Sequence, residues 1–129
     1  MQVQQTNQIL QLLDRMIASP AVDVNTLLFC AQICNQLGQL PRVEQALARL
    51  VTVSPENPEA WFDLAGVQAI QNKQPQALSS LGESLTRSAQ RRVRDTNAND
   101  LLKNALTDGR FNALRPSPGF QKLVGQAPK

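Results

Sequence analysis

Histidine and tyrosine are absent from this chain of 129 residues, and cysteine occurs only twice. Because histidine is the commonest general base and a frequent zinc ligand, its absence removes the usual acid–base pairs and most zinc sites. The six glycines are scattered singly, which excludes a glycine-rich phosphate loop. The carboxylates stand alone or on predicted helix exteriors, at Asp14, Asp23, Glu44, Glu56, Glu59, Asp63 and Glu83. We therefore predict a protein that is not an enzyme and binds neither a cofactor nor a metal.

The two cysteines, Cys30 and Cys34, lie four residues apart on one face of a predicted helix, together with Leu27 and Ala31. Free cysteine is among the residue types most often buried. A disulfide bond fits poorly between two positions at this spacing in one helix. We therefore expect both cysteines to be unbonded core residues.

Long hydrophobic runs are also missing. No apolar stretch approaches the roughly 18 residues that a transmembrane helix needs. The first residues, MQVQQTNQ, have neither the basic region nor the apolar core of a signal peptide. With 42% hydrophobic and 18% charged residues, the composition is ordinary for a globular protein. We expect a soluble protein without direct membrane insertion, and the sequence does not indicate its compartment.

An internal repeat is present instead. A shift of 34 residues aligns Leu27 with Trp61, Cys30 with Leu64, Ala31 with Ala65, Pro41 with Pro75, and Leu47 with Leu81. A fixed period of this length indicates a helical repeat. The pattern of large and small residues resembles the tetratricopeptide repeat. The first copy has Leu27, Cys30, Ala31, Cys34, Val43, Leu47 and Pro55. The second has Trp61, Leu64, Ala65, Gln68, Ala77 and Leu81, with Ala89 in place of the proline.

Each repeat is predicted to contain two helices, and the four lie at about 25–37, 40–53, 58–71 and 74–87. Gly38 and Asn72 stand where the first helix of each pair should end, and both residue types tolerate the left-handed conformation found there. Pro41 and Pro75 then suit the first turn of the second helices. In this register, the resemblance implies that Trp61 fills the core between the helices, together with Leu64, Leu81 and Leu85.

The stretch before the repeats, NQILQLLDRMIASP, predicts an amphipathic helix with its apolar stripe at Ile9, Leu12, Leu13, Met16 and Ile17. It aligns with the second half of a repeat whose first half is missing. This favours a segment cut from a longer array over a natural capping helix.

Beyond residue 88 the repeat pattern ends. DTNANDLLKNAL predicts a helix capped by Asn97 or Asn99 and ending before Asp108 and Gly109. The remaining stretch is similar to the tail that closes tetratricopeptide arrays at the ends of many longer bacterial chains. The matching residues are Phe111, Leu114, Arg115, Pro116 or Pro118, Phe120 and Leu123. We expect the two phenylalanines to cover the end of the array.

Together these features predict one all-α domain over residues 1–129. Antiparallel helix pairs stack as a short right-handed tetratricopeptide solenoid with capping helices at both ends. Its parts are a leading helix or half repeat at 4–18, repeats at 24–57 and 58–89, and divergent capping helices at 90–125.

The resemblance implies a protein–protein interaction module in which the first helix of each pair lines a concave groove. The groove positions are Asn25, Leu28, Gln32, Asn35, Gln36, Glu59, Phe62, Gly66, Ala69 and Ile70. The lysine and asparagine pair that binds a peptide carboxylate in some family members is missing. The apolar groove residues suit a helical or extended apolar segment of a protein or peptide, including a domain of the same parent chain. Alternatively, the chain's own tail or a neighbouring repeat fills the groove.

Two other functions stay open. One is a purely structural spacer or an oligomerisation domain, including a homo-oligomer, at the end of a larger bacterial enzyme. The weaker one is nucleic-acid binding through Arg87, Arg91, Arg92 and Arg94. The net charge is only +3, and no aromatic residue lies among these arginines to stack on bases. A solvated helix end accounts for the cluster, so nucleic acid is not an expected partner.

Overall fold

Helices are the only regular secondary structure in residues 3–126, the part of the chain that the computed structural model describes. They are α1 (Val3–Ala18), α2 (Val24–Gln36), α3 (Leu40–Val53), α4 (Pro58–Ile70), α5 (Gln74–Arg94), α6 (Leu101–Thr107) and α7 (Pro118–Gln126), with a 3₁₀ turn at Gly109–Phe111. The chain divides between α3 and α4 into two compact units, the first ending at Ser54 and the second beginning at Pro55. Within them, α2 packs on α3 and α4 packs on α5. The prediction of an all-α fold built from helix pairs is confirmed.

The turns between paired helices are alike in the two repeats. Gly38 and Asn72 have φ angles of 71° and 62°, so the predicted left-handed residues are confirmed. One residue after each of them, a backbone N–H donates back across the helix end. Gln39 donates to the Cys34 carbonyl at 2.8 Å, and Lys73 to the Gln68 carbonyl at 2.9 Å. These bonds pair carbonyls that would otherwise be left free at the helix end.

The first unit buries a core between α1, α2 and α3. Its buried side chains include Leu10, Leu13, Ile17, Leu27, Cys30, Cys34, Val43, Leu47 and Leu50. Both cysteines are fully buried and unbonded, as predicted. Burial raises the pKa of both thiols.

The predicted apolar stripe on α1 is wrong at one position. Leu12 is exposed and Leu10 is buried in its stead. Leu10, Leu13 and Ile17 follow helical spacing, whereas Leu12 is rotated about 200° from Leu10 around the helix axis. Arg42 holds α3 to this helix, because its Nε donates to Asp14 Oδ1 at 2.9 Å.

The second unit builds its core from α4, α5 and the tail. Phe111, Leu114 and Phe120 are nearly inaccessible to solvent and pack with Phe62, Ala65, Leu81 and Leu85. The backbone of α7 approaches α5 closely, since a Cβ added at Gly119 would lie 2.6 Å from Leu78 Cδ1. The tail therefore packs on the second repeat through the aromatic residues that the sequence singled out.

The expectation that Trp61 lies in the core is wrong. Its ring is only partly buried, with the Arg87 guanidinium carbon 5.0 Å from the ring centroid. Its Nε1 donates to the Pro55 carbonyl at 2.8 Å. An indole is large and has an N–H that needs a partner, so an edge position satisfies it better than the space between helices. Leu64, Leu81 and Leu85 are buried as predicted.

The predicted end of α5 and the predicted cap of α6 are also wrong. Helix α5 continues to Arg94 rather than ending near residue 87, because Ser88 is buried and Arg91 pairs with Glu59 in the added turns. Helix α6 is capped by neither Asn97 nor Asn99. Its first N–H, that of Leu101, donates instead to Ser88 Oγ at 3.2 Å.

Candidate protein-binding faces

The five predicted groove residues of the first repeat lie together on the exposed side of α2. They are Asn25, Leu28, Gln32, Asn35 and Gln36, and each side chain is exposed. We call this set, with Phe29, the α2 face. Four of its members are neutral amides, each with both hydrogen-bond donors and an acceptor. The face therefore carries no charge and many hydrogen-bonding groups.

Phe29 was not predicted to be a groove residue. It is 52% exposed, and the preceding Leu28 is 46% exposed. The signal was available, since Asn25, Phe29, Gln32 and Gln36 also follow helical spacing and lie on one side. The two apolar residues thus form the centre of the α2 face, with amides on both sides along the helix.

The corresponding residues of α4 are in a different environment. Phe62 is only 5% exposed, and Gly66 and Ala69 are also buried. Ile70 is exposed, and Glu59 is partly buried. The expectation that Phe62 points into an open groove is therefore wrong.

The tail is what covers α4. The Phe111 ring meets the Phe62 ring edge to face, with centroids 5.3 Å apart and an interplanar angle of 78°. The Arg110 guanidinium carbon lies 5.5 Å from the centroid of Phe62. It also occupies the space that a side chain at Gly66 would need, since a Cβ there would be 2.7 Å from this carbon. On α4, the alternative in which the chain's own tail fills the groove is the one the contacts support.

Charged groups hold Arg110 in this position. Its Nη1 lies 3.3 Å from Asp63 Oδ1, and its Nη2 lies 2.9 Å from Asp108 Oδ2. The hydrogen bonds from Arg110 lower the pKa of Asp108. Burial raises the pKa of Asp63, and the Arg110 charge opposes that rise only in part. The Asp63 side chain is half exposed, so solvent as well as Arg110 stabilises its charge.

A cleft of about 400 Å³ opens beside Arg110. Phe62, Asp63 and Glu59 from α4 form one side of it, and Asn104 and Thr107 from α6 line another. Most of the lining residues are polar, and the apolar ones are Phe62 and Leu101. A side chain from outside can therefore approach the Arg110 position through solvent.

The arginine cluster on α5 is largely engaged within the protein. Arg87 bonds to the Pro55 carbonyl and to Glu83. Arg91 donates to both carboxylate oxygens of Glu59, at 2.9 and 2.6 Å, and Arg92 bonds to the Ala98 carbonyl. Because three of the four arginines support local structure, the cluster is a weak candidate for a nucleic-acid surface.

The described residues give no sign of two other kinds of site. Between residues 3 and 126, no three histidine, cysteine or acidic side chains are grouped so that they could bind a metal ion. In the same range, no helix has both the length and the apolar character to cross a membrane.

The comparison with protein-family models agrees with the repeat described above. Residues 24–67, which include α2, α3 and most of α4, match the tetratricopeptide repeat. Searches of curated proteins and of solved structures found no match to the chain. Tetratricopeptide repeats bind protein partners and are typically scaffolds without catalytic activity. The family match and the paired helices therefore agree on a tetratricopeptide repeat at residues 24–67.

Proposed function

We propose that this chain is a protein–protein interaction module that holds an extended, uncharged apolar segment of a partner against the α2 face. The observation that carries the proposal is the exposure of Leu28 and Phe29 among four amide side chains. Large apolar residues next to one another on a surface are typical of binding sites.

The amides favour an extended partner over a helical one. A helix already pairs its own backbone N–H and C=O groups, whereas an extended segment needs outside partners for them. Asn25, Gln32 and Asn35 each offer donors and an acceptor in reach of such a backbone. Their neutrality also disfavours charged segments, whose desolvation would not be compensated.

A peptide array tests this function directly. We would probe the purified chain with extended ten-residue peptides, apolar and uncharged, against matched peptides in which aspartate or lysine replaces alternate residues. The double variant Leu28→Ala/Phe29→Ala should lose about tenfold or more in affinity, as expected when central apolar anchors are truncated. Leu106→Ala is the matched control, since Leu106 is exposed to a similar degree on α6.

The structural-spacer alternative makes the opposite prediction. It draws support from α4, where the tail covers the groove positions Phe62 and Gly66. A spacer would bind none of the peptides, and the double variant would behave as the wild type in every assay. An oligomerisation domain would show a concentration-dependent mass in sedimentation that the double variant abolishes. Binding of apolar peptides that is equal in the wild type and the double variant would contradict the proposed α2 site.

A further inference from the structure

The second unit contains a site shaped around a guanidinium group. Phe62 offers a ring face 5.5 Å from the guanidinium carbon of Arg110. Asp63 and Asp108 offer carboxylate oxygens at 3.3 and 2.9 Å from its terminal nitrogens. Gly66 leaves the space that the planar group fills, since any side chain there would collide with it. Stacking on a ring combined with hydrogen bonds to two carboxylates is how proteins bind arginine.

We propose that the part of α4 between Phe62 and Gly66 is an arginine-recognition site, which Arg110 of the chain occupies and which takes an arginine side chain of a partner protein when Arg110 leaves. The site is in the second unit and does not depend on the proposed role of the α2 face. Arg110 is thus an internal competitor that keeps the site closed to weak ligands. Because it is tethered, it competes at an effective concentration of roughly millimolar.

Arg110 can leave without unfolding the tail. Its side chain is 32% exposed and is held mainly by charge, whereas the next residue, Phe111, is fully buried in the core. Rotation of the Arg110 side chain into solvent breaks polar contacts but leaves the Phe62–Phe111 ring contact in place. The adjoining cleft of about 400 Å³ provides the approach for an incoming side chain.

The vacated site would favour a cation over water. Burial raises the pKa of Asp63 even while Arg110 is beside it, although the Asp63 side chain is half exposed. Without Arg110, the Asp63 charge would be less compensated, so the site would attract an incoming cation. An arginine satisfies this need better than a lysine, because the ammonium of lysine neither stacks flat on Phe62 nor presents paired donors to a carboxylate.

The experiment is chemical rescue of Arg110→Ala. The probes are N-acetyl-arginine-methylamide and its lysine counterpart, added to the wild type and to the variant. We expect the variant to bind the arginine probe at least about tenfold more tightly than the wild type does, and about tenfold more tightly than it binds the lysine probe. Amide chemical shifts of Phe62, Asp63 and Gly66 should move on titration, and the melting temperature of the variant should rise with the arginine probe only.

A second set of variants locates the binding. Asp63→Asn in the Arg110→Ala background should abolish the preference for arginine, and Gly66→Ala should block binding by filling the space beneath the guanidinium. If Arg110→Ala does not fold, Arg110→Asn serves in its place, because asparagine suits a turn and its short side chain leaves the space over Phe62 and Gly66 open. Equal binding of the two probes by the folded variant, or arginine binding that survives Asp63→Asn, would overturn the proposal.

Discussion

The two repeats place the same position of their first helix in opposite environments. Leu28 of α2 is about half exposed, whereas Phe62, one repeat later in α4, is almost completely buried. The helix pairs themselves are alike in their turn geometry, and in each pair the second helix packs on the first. What differs is the tail, which lays Arg110 and Phe111 over α4. The accessibility of Phe62 and Gly66 on α4 is therefore decided by a segment that lies outside the repeat.

The largest expected effect tests this difference directly. Phe62→Ala should lower the free energy of unfolding by about 3–5 kcal/mol, because it removes a buried ring from the core and leaves a cavity under Phe111. Leu28→Ala should change it by no more than about 0.5 kcal/mol, as is usual for an exposed site. Urea denaturation followed by circular dichroism measures both values. Losses of similar size in the two variants would contradict the contrast between α2 and α4.

A second pair of variants tests a position that is buried in the first repeat and only partly buried in the second. Trp61 and Leu27 occupy equivalent positions, but here the residue in the first repeat is the buried one. Leu27→Ala should cost about 2–5 kcal/mol, the range for a truncated core leucine. Trp61→Ala should cost about 1–2 kcal/mol, from the loss of one hydrogen bond and the contact with Arg87.

Denaturation of the two variants separates these predictions, with circular dichroism as the signal because the second variant lacks the chain's only tryptophan. Arg87→Ala is the matched control, since it removes the contact to the ring while leaving the indole in place. If Trp61→Ala proves as damaging as Leu27→Ala, then the indole contributes to the core after all.

Local signals in the sequence were enough to predict the paired helices. Gly38 and Asn72 predict their turns because a left-handed residue is a strictly local requirement. The burial of Phe62 could not be predicted in this way, since it depends on Phe111, which is distant in sequence and outside the repeat. Trp61 was misplaced because alignment with Leu27 transfers an environment between residues of very different size and polarity.

Of the two candidate sites, the α2 face could be predicted from the sequence, but the contact of Arg110 with α4 could not. Helical spacing brought Leu28 and its amide neighbours onto one face, because side-chain direction follows from position on a helix. Nothing local signalled Arg110, which reaches the α4 surface only through tertiary packing. Gly66 was the one hint, since a glycine inside a helix often marks a close approach by another group.

The smallest expected effect concerns Glu59, whose counterpart in the first repeat is the uncharged Asn25. The hydrogen bonds from Arg91 lower the pKa of Glu59 below its usual 4.5. The unfolded chain therefore takes up a proton first as the pH falls. The stability from this pair is complete above pH 4.5 and is lost as the pH falls through the lower pKa of the folded state. Asp63 acts in the opposite sense, because burial raises its pKa above 3.8 and protonation then favours the folded state.

Glu59→Gln isolates the contribution of this pair. At about pH 7 the variant should lose less than about 1 kcal/mol, because the Glu59 carboxylate remains well exposed and solvent screens the pair. The difference from the wild type should be smaller at a low pH, below the lowered pKa of folded Glu59, where Glu59 of the wild type is protonated as well. Asn25→Gln provides the control, since a neutral substitution at the equivalent position of α2 should shift stability equally at both pH values. A difference between Glu59→Gln and the wild type that stays constant with pH would mean that the Glu59–Arg91 contact does not stabilise the second unit through its charge.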